Sequence, residues 1–500
     1  MFPFQLTTQT PQSKHNRQCV AKSQSKYEPT QKTIALQNNM NSLPSQYVLP
    51  CSSSKRCLDR FSILEDAEED TDGLVSLWPL LQSVLSQPIN TIDGIIDVLE
   101  TISNTLRGSS STAGDYGTLK RVIGSRGDDF YARTWPAIIR IALRLPELFP
   151  GSTLPVLRSG DDVQLSTAQA GTLVSHQFLC TLEAPSWRND FYDFSIWYDT
   201  DQIHPQAAEM YLTALFTYFD DLDMDIEQPI PAKHTGVQYS LHGLPNEQSV
   251  SFNGFERDAP LTTANIFNLE SYSTTPQELQ WQGPNGAVVV AANKDIGFGQ
   301  SATQEEMYIG NCPEACPAVL FTPTLSDKQV FVINGARPML HIVGQRRDIS
   351  WSTLHRDRRC GGRMLLMDAM ELDNWDDGGT GLLADLDPRN LERELMKAYT
   401  AFSTWFEGGE EDKAVVWTGL WGCGSFNGDP AVKMTLLWMA ASLARKDINI
   451  ICDISDRNFG DAFAKFIEQM ALRGKLQNLR DWLIELPPTI KRLETIEYLK

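Results

Sequence analysis

Long apolar runs are missing from this 500-residue chain. No stretch approaches the roughly 18 uninterrupted apolar residues of a membrane-crossing helix, and the residues after Met1 lack the apolar core of a secretory signal, so neither membrane insertion nor export is expected. Basic charge is short too: 43 Lys and Arg stand against 63 Asp and Glu, a net charge of −20. A surface of that sign repels nucleic acid and anionic lipid, so direct DNA binding by the folded part is not expected and any polyanionic partner must be held in a local site. The nine Cys are odd in number and irregularly spaced, with Cys180, Cys423 and Cys452 inside apolar runs. That usage fits buried, reduced thiols in cytoplasm or nucleus rather than a disulfide framework. The seven His are scattered without H-E-x-x-H spacing, Cys312 and Cys316 have no second pair, and no Ser/His/Asp nucleophile arrangement is recognisable.

What is present is an ordinary globular composition, 42% hydrophobic and 21% charged, in a chain long enough for two or three domains. Residues 1–60 are poor in large apolar side chains, and their eight Lys or Arg face only Glu28 and Asp59. A disordered basic tail is expected there, either plainly solvated or used in import or nucleic-acid contact. Residues 61–260 show helical spacing, as in Leu77, Leu80, Leu81, Val84 and Leu85, and read as an all-α domain. Over 261–475, short runs rich in Val, Ile and Leu (287–292, 330–333, 364–367, 414–417, 448–454) alternate with helices at 390–402 and 431–444. That alternation predicts an α/β domain with a largely buried sheet, which binds ligands at strand ends. Residues 476–500 read as a helical extension.

Two segments carry chemistry. In the first, the apolar run ending at Ala292 enters Asn293-Lys294-Asp295-Ile296-Gly297-Phe298-Gly299, and Thr303-Gln304-Glu305-Glu306 opens a helix. Glycines beside a helix N-terminus suit an anion, although Thr303 and Glu306 also have the spacing of a capping box. In the second, the run 414–417 leads to Trp421-Gly422-Cys423-Gly424-Ser425-Phe426-Asn427-Gly428-Asp429-Pro430 and a helix, a loop suited to a pyrophosphate with a sugar or base against Phe426. Neither spacing matches G-x-G-x-x-G or a Walker loop, which argues against a dinucleotide dehydrogenase or an NTPase.

With Arg393-Glu394-Leu395-Met396-Lys397-Ala398-Tyr399, these motifs resemble the poly(ADP-ribose) glycohydrolase catalytic domain, a macrodomain-type mixed sheet flanked by helices. Leu143–Phe149 and Leu165–Leu182 are similar to that family's helical accessory region. The resemblance implies hydrolysis of the ribose–ribose O-glycosidic bond of poly(ADP-ribose), a place in the DNA damage response, and no metal or cofactor. The substrate would be poly(ADP-ribose) or ADP-ribosylated protein, and the enzyme a monomer. It implies Glu306 as general acid, Glu305 and Gln304 on the ribose, and Asn293, Gly297, Phe298, Gly299, Gly424, Ser425, Phe426, Asn427 and Gly428 around the ligand. The chain departs from the family in several places: Gly297-Phe298-Gly299 replaces three glycines in a shorter loop, Val290 replaces an Asp, Leu420 an Asn, and Gln345 and Asp453 stand where aromatics stack on adenosine. A module that binds ADP-ribose with impaired hydrolysis is the alternative, and an enzyme on mono-ADP-ribosyl substrates a third.

Glycosidic cleavage through an oxocarbenium-like transition state needs a protonated carboxyl at the leaving oxygen. Neighbouring helical residues diverge by about 100°, so Glu305 and Glu306 must have different roles. General-acid duty also requires burial and nearby negative charge to outweigh the pKa-lowering helix N-terminus.

Overall fold

A strand is buried on both sides when β-branched and small residues run without interruption, and Gly286–Ala292 is such a run. Its Val288, Val290 and Ala292 enter one apolar core, and Ala287 and Val289 enter another. The computed structural model describes residues 43–499 apart from 66–67, 109–113, 228–235, 244–250, 257, 270–285, 345–348, 374–380 and 405–413. The elements below all belong to the unit Pro44–Lys500.

Among the described residues eight strands form the central sheet: β1 (Asp162–Leu165), β2 (Val237–Gly243), β3 (Ala264–Asn268), β4 (Gly286–Ala292), β5 (Gln329–Asn334), β6 (Arg363–Asp368), β7 (Val415–Thr418) and β8 (Asp447–Cys452), in the order β1-β2-β5-β6-β4-β7-β8-β3. The five strands β6, β4, β7, β8 and β3 are mutually parallel, and β5, β2 and β1 continue antiparallel. Asp368 pairs with Ala292 and Trp417 with Val288, so the loops after β6, β4 and β7 leave one edge of the sheet together.

One face carries the helical layer: α1 (Leu77–Leu85), α2 (Ile92–Arg107), α3 (Gly117–Arg126), α4 (Trp135–Ala142), α5 (Thr167–Phe178) and α6 (Pro205–Glu227). Helix α5 starts at Ser166, whose hydroxyl accepts from Gln169 N (3.2 Å) while Gln169 Oε1 accepts from Ser166 N (3.0 Å), a completed capping box. On this side also lies α7 (Gln304–Asn311), whose Tyr308 and Ile309 join the same core. The opposite face carries α8 (Pro388–Phe402), α9 (Pro430–Leu443), α10 (Arg457–Arg473) and α11 (Leu476–Glu485). Helix α9 begins as its sequence suggests, with Pro430 at its first position and Asp429 accepting from Ala431 N and Val432 N.

Two expected boundaries change. The 1–60 tail is too long: Gln46–Val48 pairs with Thr153–Pro155, Arg56–Cys57 pairs with Val75–Ser76, and Tyr47 and Leu49 are buried. Of the few apolar residues described there, Tyr47, Leu49 and Cys57 are buried while Leu43 and Leu58 stay exposed; residues 1–42 lie outside the described residues. The division at 260 is not respected, because β1 and β2 belong to the sheet and Tyr239 and Leu241 share the helical layer's core. The expected helical extension at 476–500 does open with a helix, α11, and it is packed into the second core through Leu476, Leu479 and Leu483, as is Leu499. The basic stretch 344–363 is also tied down in part, with the buried Arg359 paired to Asp221 of α6; Arg346 and Arg347 lie outside the described residues.

Candidate active site

The first loop, Asn293–Thr303, is tied to α7 by the side chains that open that helix. Gln304 Oε1 accepts from Ala291 N (2.9 Å). Glu305 Oε2 accepts from Asn293 N (2.8 Å) and its Oε1 from Gly297 N (2.9 Å), so one carboxylate clasps the first half of the loop. Glu305 is only 6% exposed. Burial pushes its carboxyl up to about 8, against the pull of those two N–H groups and of Arg188, with adjacent Glu306 adding to the rise.

Glu306 is placed differently. It is half-buried, and its Oε2 accepts from Thr303 N (2.9 Å) and the Thr303 hydroxyl (3.2 Å). The capping interaction legible in Thr-x-x-Glu is therefore formed, and it occupies one oxygen. Oε1 makes no hydrogen bond among the described residues and lies 2.1 Å from where a Cβ on Gly299 would stand, so only glycine leaves room for it.

Between these anchors, the backbone N–H groups of Phe298, Gly299, Gln300, Ser301 and Ala302 make no hydrogen bond among the described residues. A run of free N–H donors ahead of a helix N-terminus is a cradle for an anion. The helical layer holds it from behind: Arg188 Nη1 donates to Ile296 O (2.7 Å), and Trp197 Nε1 to Gly299 O (2.9 Å).

The second loop leaves β7, the parallel neighbour of β4, and Gln304 Nε2 lies 3.9 Å from the position a Cβ on Gly419 would take. Here Gly424, Ser425 and Phe426 present N–H groups without partners among the described residues. Gly424, Ser425 and Asn427 are exposed, Phe426 is half-buried and Gly428 is buried. Asn427, at φ 60°, donates its N–H to Gly424 O (3.1 Å), and Trp421 Nε1 donates to Met367 O (3.0 Å), tying the loop to β6. Beneath it, Lys433 Nζ meets Glu394 Oε2 at 2.5 Å and Asp385 Oδ1 at 3.6 Å. The Lys433 stem fills the space under Gly428, where any Cβ would fall 2.6 Å from its Cε. Burial pushes the Asp385 carboxyl up to about 6, opposed first by Lys433.

Most of the residues singled out in the sequence therefore meet at one sheet edge: Asn293, Gly297, Gly299, Gln304, Glu305 and Glu306 around the first loop, and Gly424 to Gly428 around the second. The Phe298 side chain is a correction. It is 4% exposed and packs 5.1 Å from Phe194 and 5.4 Å from Trp197, centroid to centroid, so it faces the helical layer and offers a ligand only backbone. Asn293 likewise spends its side-chain oxygen on Asp295 N (3.0 Å). Val290 lies in the core, Asp453 is half-buried just after β8, and Gln345 lies outside the described residues. Sequence reasoning missed Arg188, Trp197, Asp385 and Lys433. All four act from beside or below the loops, in segments without motif spacing. Among the described residues no group of His, Cys, Asp and Glu could hold a metal, and no helix is long and apolar enough to cross a membrane.

Such a sheet edge, with paired loops over parallel strands and a helical layer behind, defines a macro-domain fold joined to a helical domain. Two family models match: the poly(ADP-ribose) glycohydrolase macro domain fold over residues 261–459 and that family's helical domain over 124–235. The chain belongs to the poly(ADP-ribose) glycohydrolase family. It is similar to poly(ADP-ribose) glycohydrolase 1 of Caenorhabditis elegans, 24% identical over 350 residues that cover 67% of this chain and 41% of the relative. Poly(ADP-ribose) glycohydrolase 2 of the same organism is 28% identical over 290 residues, 54% of each chain. The chain thus spans about half the length of the curated relatives it matches. Among solved structures it is similar to the glycohydrolase from Thermomonospora curvata (14% identity, 40% of this chain and 73% of that one, TM-score 0.29). The Deinococcus radiodurans enzyme in complex with ADP-ribose gives 15%, 39%, 79% and 0.27 in the same order.

Proposed function

We propose that this protein hydrolyses the ribose–ribose O-glycosidic bonds of poly(ADP-ribose), releasing ADP-ribose, with Glu306 as general acid. The observation that carries this reading is the carboxylate oxygen of Glu306, without a hydrogen bond among the described residues and pressed against Gly299, beside two runs of backbone N–H groups, likewise without partners among the described residues, in the loops that follow adjacent parallel strands. Those N–H groups suit a diphosphate, and half-buried Phe426 offers its ring to the attached sugar or base. The substitution of Phe298 for a family glycine is absorbed by turning its ring into the helical layer, which leaves the backbone available.

In this reaction Glu306 gives its proton to the leaving ribose oxygen as the C–O bond breaks, and positive charge develops on the anomeric carbon and ring oxygen. The bound diphosphate and the carboxylate left behind stabilise that charge. Water adds to the anomeric carbon and returns its proton to Glu306. Glu305 keeps both oxygens on backbone N–H groups and holds the loop, so the two carboxylates divide the work. The substrate is poly(ADP-ribose) or ADP-ribosylated protein, handled by a monomer in the DNA damage response. Eight described cysteines, all free, support a reducing compartment, nucleus or cytoplasm.

The test is Glu306→Gln against wild type, measuring free ADP-ribose released from purified polymer and polymer retained by the protein. Loss of the acid lowers release by about 10²–10⁴-fold while retention persists. Retention without release by wild type overturns the enzymatic reading in favour of a binding module, and release only from mono-ADP-ribosylated protein moves the activity to that substrate.

A further inference from the structure

The residues that follow α11 lie beyond the stretch matched by the macro domain family model, yet they press against the second loop. Leu383 N donates to Pro488 O (2.9 Å), which brings the segment back over the sheet edge. Arg492 then reaches into the loop: Nε donates to Gly428 O (3.0 Å) and Nη2 to Cys423 O (2.8 Å). One residue on, Leu493 N donates to Asp429 Oδ2 (2.9 Å), and the Thr495 hydroxyl lies 2.9 and 2.8 Å from the two oxygens of Asp429, the residue that caps α9. Leu493 holds a left-handed backbone at φ 72°, costly for a residue with a Cβ, so the surrounding contacts must fix this turn.

The two carbonyls that Arg492 grips bracket the loop. In a planar trans peptide the C=O and the following N–H point in opposite directions. Holding Cys423 O on the guanidinium therefore turns Gly424 N–H the other way. Holding Gly428 O does the same for Asp429 N–H, which is bound on the far side by Asp385 Oδ2 (2.9 Å). Between these fixed planes lie the N–H groups of Gly424, Ser425 and Phe426, which have no partner among the described residues. The cation sits behind the loop and adds favourable potential for an anion in front.

We propose that Arg492 is a positioning residue for ligand binding, one that fixes the second loop with its N–H groups turned toward a diphosphate. The identity of the ligand rests on the function proposed above; the role in the loop does not. The full chain is compared as wild type, Arg492→Ala, Arg492→Lys and Ile490→Ala. The last removes a buried side chain of the same segment without touching the loop carbonyls. Two quantities are measured besides the melting temperature: amide hydrogen exchange at Asn427 and Gly428, whose N–H groups are held within the loop by Gly424 O (3.1 Å) and Gly422 O (2.9 Å), and ADP-ribose affinity by calorimetry. Arg492→Ala is expected to speed exchange and weaken ADP-ribose binding, each roughly tenfold or more, with Arg492→Lys between it and wild type. Ile490→Ala should lower the melting temperature with the affinity kept. Exchange and affinity unchanged in Arg492→Ala, or an equal affinity loss in Ile490→Ala at matched destabilisation, overturns the proposal. If wild type fails to bind ADP-ribose, the functional reading falls, and the exchange measurement alone still decides whether Arg492 sets the loop.

Discussion

Glu305 and Glu306 are neighbours in sequence with the same side chain, yet one is sealed behind two backbone N–H groups and the other keeps an oxygen without a partner among the described residues. The difference has a measurable consequence for stability. With its folded pKa at about 8 against an ordinary 4.5, Glu305 holds its proton in the folded state over a range where the unfolded chain has released it. Its contribution is fully present below about pH 4.5 and is lost as pH rises through about 8, on the order of a few kcal/mol. Glu305→Gln should therefore gain stability relative to wild type as pH is raised from 5 to 8.5, whatever fixed cost its amide adds. Urea denaturation at both pH values checks this, and a difference that stays flat with pH would show that the carboxyl does not titrate there. Gly299 gives a second prediction. A Cβ 2.1 Å from Glu306 Oε1 must displace that carboxylate, so Gly299→Ala should lose ADP-ribose release nearly as completely as Glu306→Gln while melting within a few degrees of wild type. Full activity in Gly299→Ala would mean that the carboxylate works from another position. The pairing of the two acids was legible in the sequence. Their division into buried clasp and free acid was not, because it depends on which face of α7 meets the loop.

Strands buried on both sides announced themselves, since the centres of β4, β5 and β6 are unbroken apolar runs and β8 is one interrupted only by Asn449, and all four coincide with the predicted segments to within a few residues. The glycine loops and the caps of α7 and α9 were legible for a similar reason: their chemistry is local. Strand β2 has no continuous apolar run of the kind that marked the others: Gln238, Ser240 and His242 alternate with Val237, Tyr239 and Leu241, a period-two signal that is itself a strand signature but sits in a stretch otherwise read as helical. Edge strand β3, with Asn265 and Asn268 beside Phe267, carries too little apolar signal. Helix α8 was recognised as part of a family motif, but not for what it does. Its Arg393 and Lys397 hold Asp368 at the end of β6, and its Glu394 holds Lys433 beneath the second loop. Ion pairs this deep recover their desolvation cost only when fully partnered, so their place is under a loop whose shape must not drift.

The helical layer and the sheet share one continuous core, which runs from Leu49 through α1–α6 to Val288, Val290, Phe331, Ile333, Met364 and Leu366. A division into domains by composition falls near residue 260, where helical spacing gives way to strands; the packing recognises no seam there. Both layers also serve the site: the helical side grips the first loop through Arg188 and Trp197, and the segment after α11 grips the second through Arg492. A fragment beginning at residue 261 would keep every residue of both loops and lose β1, β2 and the whole helical layer. It would expose those six large apolar side chains of the sheet face, at roughly 1.5–3 kcal/mol each, and leave β5 as an unpaired edge. That loss matches or exceeds the net stability of about 5–15 kcal/mol typical of a folded protein. The fragment is therefore expected to aggregate or to lack a cooperative melt, as seen by size exclusion and circular dichroism, and to bind no ADP-ribose despite its intact glycine motifs. A monomeric fragment with a sharp transition and measurable ADP-ribose affinity would mean that the sheet supports its own site and that the shared core is an interface between independent domains.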